Sequence, residues 1–227
     1  MIRVAIAGAG RMGQAIAAGI ESRDDMEVAG TWRRDDDIDA VVGAADVVID
    51  FSLPEGTEIV ADAAQRHGKP LVCGVSGLTE AQMARVDAAA QVVPVVYDRN
   101  MSLGVAVLAR AVREAAASLG GDFDVEISEV HHVHKKDAPS GTALKLGEAV
   151  AEARGEDGTG SVTFHSERRG EVPGDHEVVM KSATERLTYA HSVTTRQVFA
   201  DGAIRAARWV VDQSPGRYRM SNVLFGE

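Results

Sequence analysis

Three glycines, Gly8, Gly10 and Gly13, stand in G-x-G-x-x-G spacing between an apolar, β-branched run at 2–7 and a helically spaced segment at 14–21. The spacing is common by itself, but between a strand and a helix it specifies the first turn of a doubly wound α/β domain. The first glycine permits the tight turn, the second lets a pyrophosphate approach the backbone, and the third lets the helix pack on the strand. The helix start then offers free amides and the positive end of its dipole to the phosphates. Arg11 and Met12 lie inside this turn, and Arg11 adds a charge. The segment therefore predicts a nicotinamide dinucleotide site at Gly8, Gly10, Arg11, Met12 and Gly13.

The rest of the first hundred residues agrees with that start. Strands are expected at 27–31, 46–51, 71–75 and 92–97. Helices are expected at 57–67, with Gly68 ending it and Pro70 beyond, and at 79–90, opened by a Thr79 to Gln82 capping box. Strands alternating with helices imply right-handed crossovers and a parallel sheet. The pattern changes near residue 101. A long helix is expected at 102–119, ended by Gly120-Gly121, then a strand at 123–131 and a helix at 140–153. An acidic, glycine-containing loop follows at 154–160, then extended stretches at 161–168, 175–182 and 185–193. A last long helix covers 195–212, and the tail at 218–225 is apolar enough to dock. This order predicts an α+β second domain with a mixed sheet.

The end of the second strand reads the adenosine ribose in such domains, with an acid for NAD or an arginine for a 2′-phosphate. Here the sequence is Thr31-Trp32-Arg33-Arg34, with no acid before Asp35. The planar guanidinium forks of Arg33 and Arg34 suit a phosphate. NADPH is the expected cofactor, with NADH possible. The alternative is two solvated arginines that balance Asp35-Asp36-Asp37.

A second cluster lies in His131-His132-Val133-His134-Lys135-Lys136-Asp137-Ala138-Pro139-Ser140-Gly141-Thr142. The chain has a net charge of −10, yet all but one of the positions 131–136 are cationic or can become so. That local excess points to an anionic ligand. Ser140 is a good N-cap, so the amides of Gly141 and Thr142 would begin a helix and face a carboxylate. A titratable imidazole, an ammonium and a helix start within twelve residues suit acid/base chemistry on an anion. A metal site is disfavoured: side chains of adjacent strand residues diverge, and no Glu or Cys joins the histidines at ligand spacing. A solvated basic loop is the remaining alternative.

Composition bounds the partners. The 227 residues are 45% hydrophobic and 26% charged, an ordinary globular balance. The acidic net charge argues against nucleic acid and anionic membrane as partners. No apolar run reaches the ~18–20 residues needed to cross a bilayer. The start, Met1-Ile2-Arg3-Val4-Ala5-Ile6, reads as a strand and is too short for a signal peptide. Cys73 is the only cysteine, so no intrachain disulfide forms. A cytoplasmic protein is expected.

The run from Glu129 to Leu144, Glu-Val-His-His-Val-His-Lys-Lys-Asp-Ala-Pro-Ser-Gly-Thr-Ala-Leu, closely resembles the signature of the dihydrodipicolinate reductases, enzymes of lysine and diaminopimelate biosynthesis. The likeness covers nearly the whole chain. Gly8 to Gly13, Asp50-Phe51-Ser52, Pro54-Glu55-Gly56-Thr57, Gly74-Val75-Ser76-Gly77, Gly174-Asp175-His176 and Phe199-Ala200-Asp201-Gly202-Ala203 fall in the family's order. The resemblance implies a nucleotide-binding domain at 1–102 and 206–227, and a substrate-binding and tetramerisation domain at 103–205. It implies His131 as the catalytic acid/base and Lys135 as a proton donor or charge stabiliser. His132, Ser140, Gly141 and Thr142 would hold a substrate carboxylate. Phe51, Ser52, Gly74, Ser76 and Asn100 would join the glycine turn and the two arginines on the cofactor. The implied substrate is a small cyclic imine dicarboxylate, and the implied assembly a homotetramer. Two departures stand out. The glycine turn is one residue shorter than the family's commonest form, and 97–102 stands where Ala-Pro-Asn-Phe-Ser is usual, matching at Asn100 and Ser102. Other readings of the same residues are a reductase of another amino-acid-derived substrate, or a nucleotide-sensing module without turnover.

Overall fold

In the computed structural model, which describes residues 1–226, the chain forms two units, 1–103 with 196–226, and 104–195. Unit 1 is built on β1 (Ile2–Ala7), β2 (Met26–Trp32), β3 (Val47–Asp50), β4 (Leu71–Cys73), β5 (Pro94–Tyr97) and a late strand, β10 (Gly216–Tyr218). They form one parallel sheet in the order β10-β5-β4-β3-β1-β2. Val4 to Ala7 and all of β3 and β4 are buried. A parallel sheet covered on both faces calls for such buried, apolar runs, and Asp50 at the end of β3 is the exception.

The helices that cover it are α1 (Arg11–Glu21), α2 (Ile38–Gly43), α3 (Pro54–His67), α4 (Glu80–Ala90), α7 (Gln197–Val210) and α8 (Met220–Phe225). α2 packs on α3 and α3 on α4, while α1 packs on α7. Val42, Val60, Ala64, Val86 and Ala89 of the first group share a core with Ala5, Val48, Leu71 and Val95 of the sheet. The caps follow the sequence. Gly68 ends α3 in the left-handed region at φ 61°, and Thr79 and Gln82 form the reciprocal box that opens α4.

Unit 2 carries α5 (Leu103–Leu119, from Gly104 on), β6 (Asp124–His131), α6 (Gly141–Arg154), β7 (Val162–Arg168), β8 (Asp175–Lys181) and β9 (Arg186–Ser192). The sheet order is β7-β6-β8-β9. β6 pairs parallel with β7 and antiparallel with β8, so the sheet is mixed. Leu108, Val112 and Ala116 of α5 and Leu146 and Val150 of α6 pack with Val125, Ile127, Val178 and Met180.

Three elements escaped the sequence reading. α2 is six residues long and sits behind an acidic run, yet Asp37 caps it by accepting from the amides of Asp39 and Ala40 at 3.0 and 3.4 Å. β10 and α8 resolve the apolar tail into a strand and a short helix. Asp98 Oδ2 accepts from the Met220 amide at 3.2 Å, which ties the start of α8 to the end of β5. The chain also returns to unit 1 at Arg196 rather than at 206, because α7 is one continuous helix packed on α1 and on β3, β4 and β5.

Gly202 of α7 sets how closely that helix lies on the segment after β5. A Cβ there would stand 1.7 Å from the Met101 carbonyl oxygen. Gly202→Ala is expected to lower unfolding stability by about 1–3 kcal/mol or more, read as a lower urea midpoint. An unchanged midpoint would refute the close approach.

Candidate functional site

The expected cofactor residues of unit 1 all lie at or beyond the carboxyl ends of its strands. Gly8 to Gly13 follow β1, Arg33 and Arg34 follow β2, Phe51 and Ser52 follow β3, Gly74 and Ser76 follow β4, and Asn100 follows β5. β1 lies between β2 and β3, so the strand order reverses there, and such a switch point leaves a crevice for ligand. Gly8 adopts φ +105°, and a Cβ on it would lie 2.6 Å from the Phe51 carbonyl oxygen. A Cβ on Gly13 would lie 1.8 Å from the Gly8 carbonyl oxygen, whereas nothing stands within 4 Å of a Cβ on Gly10. Two glycines are thus needed for packing, and Gly10 leaves open space before the first amides of α1. The turn holds this arrangement in its short form.

Neighbouring residues sharpen the picture. The Phe51 amide donates to the Ala7 carbonyl at 2.9 Å, and the Gly8 amide to the Trp32 carbonyl at 3.1 Å. A Cβ on Gly74 would meet the Phe51 ring at 2.3 Å, so Gly74 is small to admit that ring. Ser52 donates its amide to Asp50 Oδ1 at 2.9 Å. Asp50 is fully buried, and burial raises its pKa. The acidic run does not neutralise the arginines. Asp36 Oδ2 accepts from the Arg33 amide at 2.9 Å and Asp37 caps α2. Among the described residues neither the Arg33 nor the Arg34 guanidinium has an ion-pair partner, and both are exposed. Asn100 is engaged locally: its side-chain oxygen accepts from the Ser102 amide at 2.8 Å. Ser76 is exposed on its loop.

The expected substrate residues of unit 2 gather where β6 ends and α6 begins. Strand alternation places Val125, Ile127, Glu129 and His131 on the buried face of β6. Glu129 is 1% exposed. Its Oε2 accepts from His131 Nδ1 and from Arg168 Nη1, the latter at 2.9 Å, and its Oε1 accepts from the Ser140 amide at 3.2 Å. Ser140 caps α6 as expected, its Oγ accepting from the Ala143 amide at 3.2 Å. His176 of β8 meets the His131 ring edge-on at 5.1 Å between centroids, and its Nε2 lies 3.3 Å from Ser140 Oγ. Arg168 also donates to the carbonyls of Lys135 and Asp137, which pins the loop between His132 and Pro139.

Lys135 Nζ stands 2.9 Å from Asp137 Oδ1. The Gly141 amide also favours the charged Asp137 carboxylate, so the chain's own acid lies close to the start of α6. Thr142 is buried in the first turn of α6, and His132 is half-buried beside His134, with 6.0 Å between ring centroids. His131 and Ser140 are thus joined through Glu129, Lys135 and Gly141 through Asp137, and Arg168 ties the two pairs together. The sequence reading missed Glu129, Asp137, Arg168 and His176 as working parts. One signal was available: a carboxylate at an apolar position of an alternating strand, two residues before the histidine.

Electrostatics divides the histidines. Burial lowers the pKa of His131 and outweighs the Glu129 carboxylate, which raises it. Burial lowers His176 to about 3, aided by His131. Burial would raise Glu129, but hydrogen bonds from His131, Ser166 and Arg168 hold it below the usual carboxylate range. Burial likewise works against ionised Asp137, and Lys135 overcomes it.

Two family models match the chain: the N-terminal part of dihydrodipicolinate reductase over residues 2–101 and the C-terminal part over 104–224. The 4-hydroxy-tetrahydrodipicolinate reductase of Zymomonas mobilis is 44% identical over 96% of this chain and 95% of its own. That of Caulobacter vibrioides is 43% identical over 98% and 97%. Among solved structures, a dipicolinate-bound dihydrodipicolinate reductase from Paenisporosarcina sp. TG-14 aligns with a TM-score of 0.82 at 23% identity, covering 99% of this chain and all of that one. A probable dehydrogenase from Thermotoga maritima aligns at 0.63 and 11% identity over 98% and 92%, a likeness of fold.

The neutral histidines make stability depend on pH. The folded pKa of His176, about 3, lies below an unfolded value of about 6.5, so the unfolded chain takes up the proton first. Its contribution is complete above that unfolded value and is lost as pH falls toward 3, by up to about 1.4 kcal/mol per pH unit, and His131 acts in the same direction. Urea midpoints should fall between pH 7.5 and 5, and less steeply in His176→Gln. Equal slopes in the two proteins would sink the account.

Proposed function

The chain belongs to the dihydrodipicolinate reductase family, and on that premise we propose that it reduces the cyclic imine dicarboxylate derived from 4-hydroxy-tetrahydrodipicolinate with NADPH, in the cytoplasm. One observation carries the reading. A buried histidine, a lysine and the start of a helix meet at the end of β6, in a chain matched to this family across both units. No helix among the described residues is long and apolar enough to cross a membrane.

Unit 1 suits the cofactor. The open space at Gly10 faces the first amides of α1, which with the helix dipole fit a pyrophosphate. Arg33 and Arg34, exposed and without an ion pair among the described residues, fit a 2′-phosphate, and the strand end lacks the acid that would favour NADH. The cofactor, when bound, supplies hydride from its nicotinamide ring.

In unit 2 the amides of Gly141 and Thr142, with His132 and Ser140, receive a substrate carboxylate. Asp137 must give way to it at the helix start. Addition of hydride leaves negative charge on the ring, which one proton must neutralise. His131 delivers that proton. Its lowered proton affinity makes the imidazolium a stronger acid, while the substrate's two carboxylates favour the charged ring once bound. The Lys135 ammonium stabilises the developing charge. Self-association into a homotetramer is assigned to the sheet face of Glu126, Ser128, Thr163, Glu177 and Thr188, which points away from the core of unit 2.

Oxidation of NADPH and NADH, followed with freshly generated condensation product of pyruvate and aspartate semialdehyde, tests the reading. Turnover should be seen with that substrate, at lower KM for NADPH, and its absence with both cofactors refutes the reading. His131→Ala and Lys135→Ala should each lower kcat by about 10²–10⁴-fold. Thr142→Ala should chiefly raise KM for the imine. Arg33→Ala with Arg34→Ala should raise KM for NADPH while leaving that for NADH within about twofold. Sedimentation of the purified protein as a monomer would refute the assembly.

A further inference from the structure

A buried carboxylate is retained in a folded chain only when its lone pairs are satisfied. Glu129 meets that condition with three donors, His131 Nδ1, Arg168 Nη1 and the Ser140 amide, and the Ser166 hydroxyl also favours its charge. An ionised carboxylate can only accept, so the His131 nitrogen that faces it must bear hydrogen. The neutral ring then has its lone pair on Nε2, and the charged ring has its exchangeable proton there. What lies against Nε2 is a glycine. Gly174 sits at φ +152°, and a Cβ on it would stand 3.0 Å from Nε2 and 3.6 Å from the His176 ring. A side chain at this position would cover the one nitrogen that Glu129 leaves free.

We propose that Glu129 is the positioning residue that makes His131 act through Nε2, and that Gly174 keeps this nitrogen uncovered. The proposal rests on His131 being the acid/base of the reduction. The charged and titratable groups around the ring are Glu129 on its own strand, Lys135 on the following loop, Arg168 at the end of β7 and His176 on β8. Glu129 alone favours the imidazolium, and the two cations oppose it. Removing its charge moves the ring's titration downward.

The wild-type protein decides the tautomer without substrate. With ¹⁵N-labelled histidine, long-range ¹H–¹⁵N correlations above the ring's pKa should show hydrogen on Nδ1 and none on Nε2 of His131. The opposite tautomer overturns the proposal. Glu129→Gln should lower kcat by about 10–10³-fold with KM for the imine within about threefold, and should shift the His131 titration to lower pH. A Glu129→Gln protein with near-normal kcat, or with an unmoved titration, overturns it. Gly174→Ala should lower kcat at least tenfold while the tautomer stays as in wild type, and unaltered turnover removes Gly174 from the account. Should Glu129→Gln fail to fold, the wild-type tautomer still gives the answer. Wild-type protein that oxidises neither cofactor with the imine would refute the functional reading, a result distinct from a wrong tautomer.

Discussion

At the crossing of β1, β3 and α1, backbone meets backbone with no side chain between. Cβ atoms on Gly8 and Gly13 would lie 2.6 Å from the Phe51 carbonyl oxygen and 1.8 Å from that of Gly8. Because these distances admit nothing larger than hydrogen, α1 sits at one height over the sheet, and its free amides open beside the strand-order reversal. The remaining parts of unit 1 follow from this point. The Phe51 ring fills the space above Gly74, Ser52 hangs from Asp50, and Arg33 and Arg34 emerge one strand away. α7 repeats the device farther along the chain, with Gly202 against Met101.

Unit 2 solves a different problem, that of placing charge inside a small sheet. Its core face runs apolar along β6 until Glu129, and the carboxylate is tolerated because strand, loop and helix all donate to it. Arg168 adds a second role, since its guanidinium also holds the carbonyls of Lys135 and Asp137. The loop that carries the lysine is therefore shaped by the same ion that neutralises the glutamate. His176 stays neutral nearby because burial, more than any neighbour, penalises its charge.

Much of this was legible in the amino-acid order, for identifiable reasons. Glycine spacing, β-branched runs, the Thr79 capping box and the Ser140 cap are local signals, and each appears where it was expected. α2 was hidden because Asp37 belongs to a run of acids that reads as solvated charge, although Asp36 and Asp37 bond to backbone amides. β10 could not be foreseen, since three residues gain strand character only by pairing with β5. In the site, the residues within the 131–142 segment were legible. Arg168 and His176 carry no local signal, because strand pairing alone brings them to Glu129 and His131 from more than thirty residues away. Asp137 has no sequence signal of its own, since its pairing with Lys135 appears only in the folded loop.

The connection of the two units has a consequence for synthesis. Unit 2 lies between two parts of unit 1, so it leaves the ribosome complete while the parallel sheet still lacks α7 and its edge strand β10. Until residues 196–226 emerge, one face of β3, β4 and β5 has no α7 over it, and the outer edge of β5 offers unpaired amides and carbonyls. Such an edge invites pairing with another chain. The nascent protein thus passes through a stage in which its more regular half is the more vulnerable, and residues 196–226 end that exposure.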